Sequence, residues 1–474
     1  MKRLLFPLTV LATLTGCRLH HGNPVPRLMV VESSDWVDLP LRTRQGLCMV
    51  LEDLAESSGS TIVPSSPSEA IAPEGMMVIR LSGFKNENGL NLRATVETAG
   101  QPERGVLPTT ADPRAQLLQI LGAVGLRSVQ SDTILPAHPE DLLPMAEVYA
   151  DTIRGSDQES LAQDGATRAL EAREPSCAPA ALARAQCLYR RLLTQPETEL
   201  DAQLACARVF EQSLDLLPGY PRGAAYAGRF YTDTGNQRRA IELLSAAIAR
   251  WPRASELRGG LAYAARTTGL LEGAQISLRE MDALNGRPTP ALVLPENTYL
   301  YSGKLDVYDS LLGPGPNEIG DSTPDFYRGY LRLLQGRRDE ALLNFHAAAR
   351  PLDKASEFQA LALIYELAMD GHKSEALLAL RRLTVARTGL RVPDGEFTFK
   401  LAEAFGFIGS VPEAMDTCQL AFSQGFGCTA WYLKSPMLTP LHDLPRWRSL
   451  ISHLQDRQRL MERHFPLSTF APTG

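Results

Sequence analysis

The chain has 474 residues, 44% apolar and 22% charged, with a formal net charge of −6. These proportions are those of a globular protein, and the length suits two or three domains rather than one. The acidic balance argues against non-specific binding to nucleic acid or anionic lipid, which needs a basic field.

The chain opens on Met1, Lys2 and Arg3, followed by an apolar run from Leu4 to Leu14. That run is too short to span a bilayer and predicts a secretory signal. Leu14-Thr15-Gly16-Cys17 then resembles the bacterial lipobox. The resemblance implies a signal peptide over 1–16, cleavage before Cys17, and diacylglycerol and palmitate-type acylation of that cysteine. Arg18 follows where retention at the inner membrane would usually show aspartate, which implies the outer membrane, facing the periplasm. An ordinary signal peptide with a chance cysteine is the alternative. Residues 17–26 have no periodicity and are expected to form a lipidated tether, with His20 and His21 solvated rather than binding metal. No later segment reaches 18 consecutive apolar residues.

Residues 27–130 predict a small α/β domain. Arg27 to Val31 is expected as a buried strand, and Leu41 to Ser57 as a helix from Leu41, Leu47, Met49, Leu51 and Leu54. Thr61 to Val63 follows as a second strand. Met76 to Leu81 and Leu90 to Thr98 alternate about Asn86-Glu87-Asn88-Gly89, a hairpin signal. Pro113 to Val124 is expected as a helix capped by Asp112. The expected order is β-α-β-β-β-α.

Residues 140–218 read as a helical connector of degenerate repeats, with Leu161 to Ala172 as one helix and 178–195 with 199–217 as a hairpin. Six cysteines follow Cys17: Cys48, Cys177, Cys187, Cys206, Cys418 and Cys428. None has zinc-site spacing, so no metal centre is expected. The hairpin brings Cys187 near Cys206, and Cys418 and Cys428 close a short loop, so two disulfides are open in an oxidising compartment. Six small buried hydrophobes are the alternative.

Residues 219–424 repeat. Gly235, Gly269, Gly303, Gly336, Gly371 and Gly409 recur at about 34 residues, and Ala240, Ala274, Ala341, Ala376 and Ala414 each follow their glycine at the fifth position. In the first unit Gly228, Ala240 and Ala247 let two helices approach closely, Gly235 turns the chain, and Pro252 stops the second helix. The pattern resembles the tetratricopeptide repeat. The third unit is degenerate, interrupted by Pro295 and with Tyr308 in the alanine position, and Gly313 to Pro316 is an excursion rather than a phosphate loop.

Residues 425–465 are expected as a capping helical segment, from Trp431 to Pro436 and Pro440 to Trp447. These stretches, with the hairpin Val78 to Val96, are similar to the amino-terminal α/β domain of TolB-like proteins and to the closing segment of the repeat arrays that follow it. The fold class expected is therefore an α+β domain followed by an all-α, tetratricopeptide-type solenoid.

No hydrolase elbow, zinc-protease helix or dinucleotide fingerprint is present. No catalytic residue and no cofactor is expected, and the chain is not expected to be an enzyme. The repeat resemblance implies a concave groove lined by the first helices, through Arg222, Arg229, Tyr263, Arg266, Phe326, Tyr330, Tyr365 and Phe399. Arginine and aromatic residues anchor interfaces, so a protein or peptide partner is expected there. The function expected is a membrane-anchored, non-catalytic scaffold of the bacterial envelope. The alternative is a regulator or binder acting through the α/β domain, with the repeats as a spacer.

Overall fold

The computed structural model describes residues 27–63, 76–87, 89–99, 101–197, 199–286, 297–312, 322–350 and 356–472. The signal peptide, Cys17, the tether, Pro295 and Gly313 to Pro316 lie outside them.

A five-stranded sheet begins the fold: β1 (Arg27–Glu32), β2 (Thr61–Ile62), β3 (Met76–Asn86), β4 (Gly89–Thr98) and β5 (Arg104–Val106), in the order β2-β1-β3-β4-β5. β1 pairs in parallel with β2 and β3, and β3 turns back on β4 with Asn86 opposite Gly89. The edge strand β5, three residues pairing with β4, is an addition to the expected order. Its sequence, Arg-Gly-Val, is too short to alternate, so the register of β4 alone specifies it.

Period-two alternation gives the sheet two faces. Leu28, Val30, Ile79 and Leu81 join the main core, whereas Met29, Val63, Met76 and Val78 form a separate small cluster. Helix α1 (Leu41–Glu56) lies between the sheet and a helix of the connector, α4 (Leu142–Arg154), and its second half is buried on every side. The two helices cross tightly because Gly46 has no side chain: a Cβ there would stand 1.8 Å from the carbonyl oxygen of Ala146. Helix α2 (Pro113–Ala123) starts as expected, with the Asp112 carboxylate accepting from the Arg114 amide at 2.9 Å.

The rest is helical. After α3 (Ser131–Ile134), the connector holds α4, α5 (Asp157–Ala162), α6 (Asp164–Arg173), α7 (Ala178–Thr194) and α8 (Ala202–Leu216). The single helix expected over Leu161 to Ala172 is in fact two. Ser156 and Glu159 form a reciprocal capping box that starts α5 early, and the chain breaks at Gln163.

Helix pairs follow: α9 (Pro221–Asp233) with α10 (Gln237–Arg250), α11 (Ser255–Thr267) with α12 (Leu271–Asn285), and the short α13 (Asn297–Tyr301) with α14 (Leu305–Leu312). Then come α15 (Ser322–Leu334) with α16 (Arg338–Ala348), α17 (Glu357–Met369) with α18 (Lys373–Ala386), and α19 (Gly395–Ile408) with α20 (Val411–Ser423). Helices α21 (Thr429–Lys434) and α22 (Pro445–His464) close the order.

All six periodic glycines sit between the helices of a pair with φ between 74° and 96°, the left-handed region that side chains disfavour. The five alanines that follow them are completely buried. Sequence period, turn geometry and close packing thus coincide.

The helical part is built around two apolar clusters: one continuous with the sheet, running to α12 and taking in Val392, Met461, Phe465 and Phe470 from later in the chain, and the other drawn from α13 to α22. They are stitched together by contacts distant in sequence. Gln237 donates to the Gly425 carbonyl at 2.9 Å, the Gly427 amide to the Thr267 carbonyl at 2.7 Å, and Arg457 to the carbonyls of Phe422 and Gly425. The segment after α20 therefore lies against the turns of the first two pairs. Near the chain end, Phe470 is fully buried against Gly273, and Arg258 donates to its carbonyl.

Candidate functional site

The centre of the helical part is α19. Glu396, Lys400 and Glu403 are spaced i, i+4, i+7, so they lie along one face of the helix. All three are buried. Burying charge is costly unless each group is paired and hydrogen-bonded, and each is. Arg266 of α11 meets Glu396 at 2.5 Å, and Tyr301 and Asn297 donate to the other Glu396 oxygen at 2.6 and 2.8 Å. Together these donors hold the Glu396 carboxyl below its usual range although burial opposes them.

Glu403 takes Lys400 at 3.0 Å, Tyr330 at 2.6 Å, Trp431 at 3.0 Å and Ser435 at 2.7 Å. The Lys400 ammonium also lies 3.9 Å from the centre of the Tyr330 ring, and burial lowers its pKa.

A second polar group adjoins the first. Asp233, at the end of α9, accepts from the hydroxyls of Tyr189 and Tyr263. Arg229, one turn earlier, approaches it no closer than 3.9 Å, and its Nε has no hydrogen-bond partner. The Arg229 side chain is 39% exposed, and Tyr189, Asp233, Tyr263 and Tyr226 act on it from α7, α9 and α11. Asp394, with φ of 51°, caps α19 through the amides of Glu396 and Phe397. Burial, then the Asp233 and Glu396 carboxylates, push it up to about 7.

A third group joins the sheet domain to the helices. Asp53 of α1 accepts from Tyr149 at 2.8 Å and from Tyr220 at 2.6 Å, and Arg222 pairs with Glu52 at 2.7 Å and with Asp53 at 3.4 Å. Burial raises the Asp53 pKa, with Arg222 and the two hydroxyls opposing. Glu56 and Glu256 face the same cluster. Burial pushes Glu256 up to about 7, and raises Glu56 with the Glu256 charge adding to it.

These contacts correct the expected open groove. Arg222, Tyr263, Arg266, Phe326, Tyr330, Tyr365 and Phe399 are all buried. Phe326 lies among Tyr330, Phe345, Phe358 and Tyr365, Tyr365 donates to the Met437 sulfur at 3.3 Å, and Phe399 packs on Phe426 and Tyr432. Of the eight residues, Arg229 alone keeps substantial exposure. The physical reason is packing between elements distant in sequence: Arg222 is taken up by Glu52 and Asp53 of α1, Arg266 and Tyr330 by Glu396 and Glu403 of α19, and Tyr365 by Met437. The sequence signal lay in α19 itself. Its remaining positions are almost all apolar or small, and a helix with no solvent face is a buried one.

Of the two alternatives for the cysteines, the structure shows the buried, unpaired one. Among the described residues all six cysteines are free and buried. Cys187 donates to the Ser160 carbonyl and Cys206 to that of Ala185. Burial pushes the thiols up, Cys177 and Cys428 to about 12, which disfavours the reactive thiolate.

One cleft of about 380 Å³ opens beside α2 and α3, lined by residues that include Asp112, Arg114, Ser131, Asp132 and Ala137. No described helix is long and apolar enough to cross a membrane. No protein-family model and no curated protein matches the chain.

Proposed function

We propose that the chain is a non-catalytic protein-interaction scaffold of the bacterial envelope, held at the outer membrane by lipid on Cys17 and built on tetratricopeptide-type repeats. The observation that carries this reading is the six left-handed glycines, each closing a helix pair at the sequence period. Stacked pairs of that kind are interaction surfaces first.

Because the inner face is filled, partner contact falls on the second helices of the pairs. Leu343 and Leu378 stand seven residues after Gly336 and Gly371, at equivalent places in successive pairs, and are 71% and 51% exposed. The rival reading, binding through the sheet domain, is favoured by the cleft beside α2.

Photo-crosslinkers placed at Leu343 and Leu378 in living cells, with Arg229 and Lys85 for comparison, test both. Capture of one dominant protein from Leu343 and Leu378 is expected. Capture from Lys85 alone moves the function to the sheet domain. Capture from Arg229 alone means that the interior opens to admit a partner. No capture from any of the four positions in a correctly anchored chain defeats both readings.

A further inference from the structure

His138, Asp141 and Glu174 meet where the connector begins, and each offers a ligand atom within 4.8 Å of the others. His138 precedes the 3-10 turn Pro139–Asp141, and Glu174 follows the last turn of α6. The side chains of Asp141 and Glu174 are 3% and 0% exposed, whereas that of His138 is 56% exposed.

Two buried carboxyl groups in contact need a positive group beside them or a proton shared between them. Arg173 supplies one, 2.7 Å from Asp141 Oδ1. Glu174 is tied by the amides of Ala137 and His138 at 2.6 and 3.0 Å, and by the His138 ring at 2.7 Å. The remaining oxygen, Asp141 Oδ2, is buried and has no hydrogen-bond partner. The cluster thus sets two carboxyl groups and an imidazole nitrogen within 4.8 Å of one another, with one guanidinium beside them.

The segment carrying His138 is fixed from its other side as well, since Arg114 donates to the carbonyls of Pro136 and Ala137. Such outer contacts are what orient metal ligands. One imidazole and two carboxylates make a nitrogen–oxygen donor set suited to zinc or manganese rather than to a thiolate-seeking ion. Tetrahedral ligand bonds of about 2.0–2.2 Å place two ligand atoms roughly 3.3–3.6 Å apart, so the His138 and Glu174 atoms, now 2.7 Å apart, would separate by more than half an ångström as the ion enters. The exposed side of His138 leaves room for water to complete the shell.

We propose that His138, Asp141 and Glu174 bind a divalent transition ion, with zinc as the reference ion, water filling the open positions. Sequence spacing gives no hint of this site, because Glu174 stands 36 residues from His138 and no second histidine lies nearby.

Titration of the chelator-treated full chain in detergent with zinc chloride, followed by calorimetry, is the test. One zinc per chain at micromolar or tighter affinity is expected, with magnesium and calcium at least tenfold weaker. His138→Ala, at an exposed position that spares the fold, and Asp141→Asn should each weaken zinc at least tenfold. The double variant His20→Ala/His21→Ala should leave this binding unchanged. Affinity no better than millimolar, preference for magnesium or calcium, or binding lost with His20 and His21 but kept in His138→Ala would each overturn the site.

Discussion

Arg266 and Glu396, 130 residues apart, form a fully buried ion pair of 2.5 Å between the second and the sixth helix pairs. It ties a helix of the cluster that is continuous with the sheet to a helix of the second cluster. Glu396→Ala removes the carboxylate opposite Arg266 and the acceptor for Tyr301 and Asn297. Breaking a buried pair from one side costs about 3–5 kcal/mol. The double variant Arg266→Met/Glu396→Leu should lose less than Glu396→Ala, since no uncompensated charge is left inside. Urea midpoints of the two variants check the order. If Glu396→Ala unfolds with the wild-type midpoint, the pair does not hold the clusters together.

The turn glycines separate backbone strain from packing. Gly371 has φ of 92° and nothing within 4 Å of where a Cβ would stand, so Gly371→Ala should cost about 1 kcal/mol through strain alone. Gly425 has φ of 108°, and its Cβ would lie 2.6 Å from the Gly235 Cα. Gly425→Ala should therefore cost several times more, because it also pushes the closing segment off the first turn. Thermal unfolding of both variants reads the difference. Equal costs would mean that this closure adds nothing to stability.

Much of this fold could be read from the residues. The Leu41 helix, the hairpin about Asn86 and Gly89, the Asp112 cap and all six glycine turns carry local signals of periodicity or turn chemistry, and each appears in the structure. The interior was not legible. Arg222, Arg266 and Tyr330 have the composition of a binding surface, and what buries them is set by partners such as Glu52, Glu396 and Glu403, far away in sequence. A charged residue is expected in solvent until its counter-ion is located, and no period announces a pairing across 130 residues. The grouping of His138, Asp141 and Glu174 escaped for the same reason.

The Asp394 carboxyl makes stability depend on pH in an identifiable direction. Burial and the neighbouring Asp233 and Glu396 raise it from 3.8 to about 7, against the opposing charge of Arg387. Between those values the folded chain holds a proton that the unfolded chain has released, so stability falls as pH rises from about 4 through about 7 and then levels. Glu256, also pushed up to about 7, acts in the same sense. Asp394→Asn keeps a capping oxygen, and asparagine tolerates the positive φ. The variant should show a shallower fall between pH 5 and pH 8, by on the order of 2 kcal/mol. Urea unfolding at the two pH values measures it, and a slope equal to that of the wild type removes Asp394 as the cause.

Thiol counting tests the cysteine chemistry and the anchor in one experiment. The sequence contains seven cysteines, of which six are free and buried in the structure. A thiol reagent should find almost nothing in the native protein, because burial keeps the thiols protonated and out of reach. In denaturant without reductant, a chain lipidated on Cys17 as proposed should yield six thiols. Four or two would mean that Cys187 with Cys206, or Cys418 with Cys428, or both pairs, are oxidised in the cell. Seven would mean that Cys17 carries no thioether-linked lipid. Cys17→Ser should then separate the remaining possibilities: a chain held by lipid at that residue loses membrane association, whereas one held by protein contacts stays bound, and the scaffold would have to be placed elsewhere.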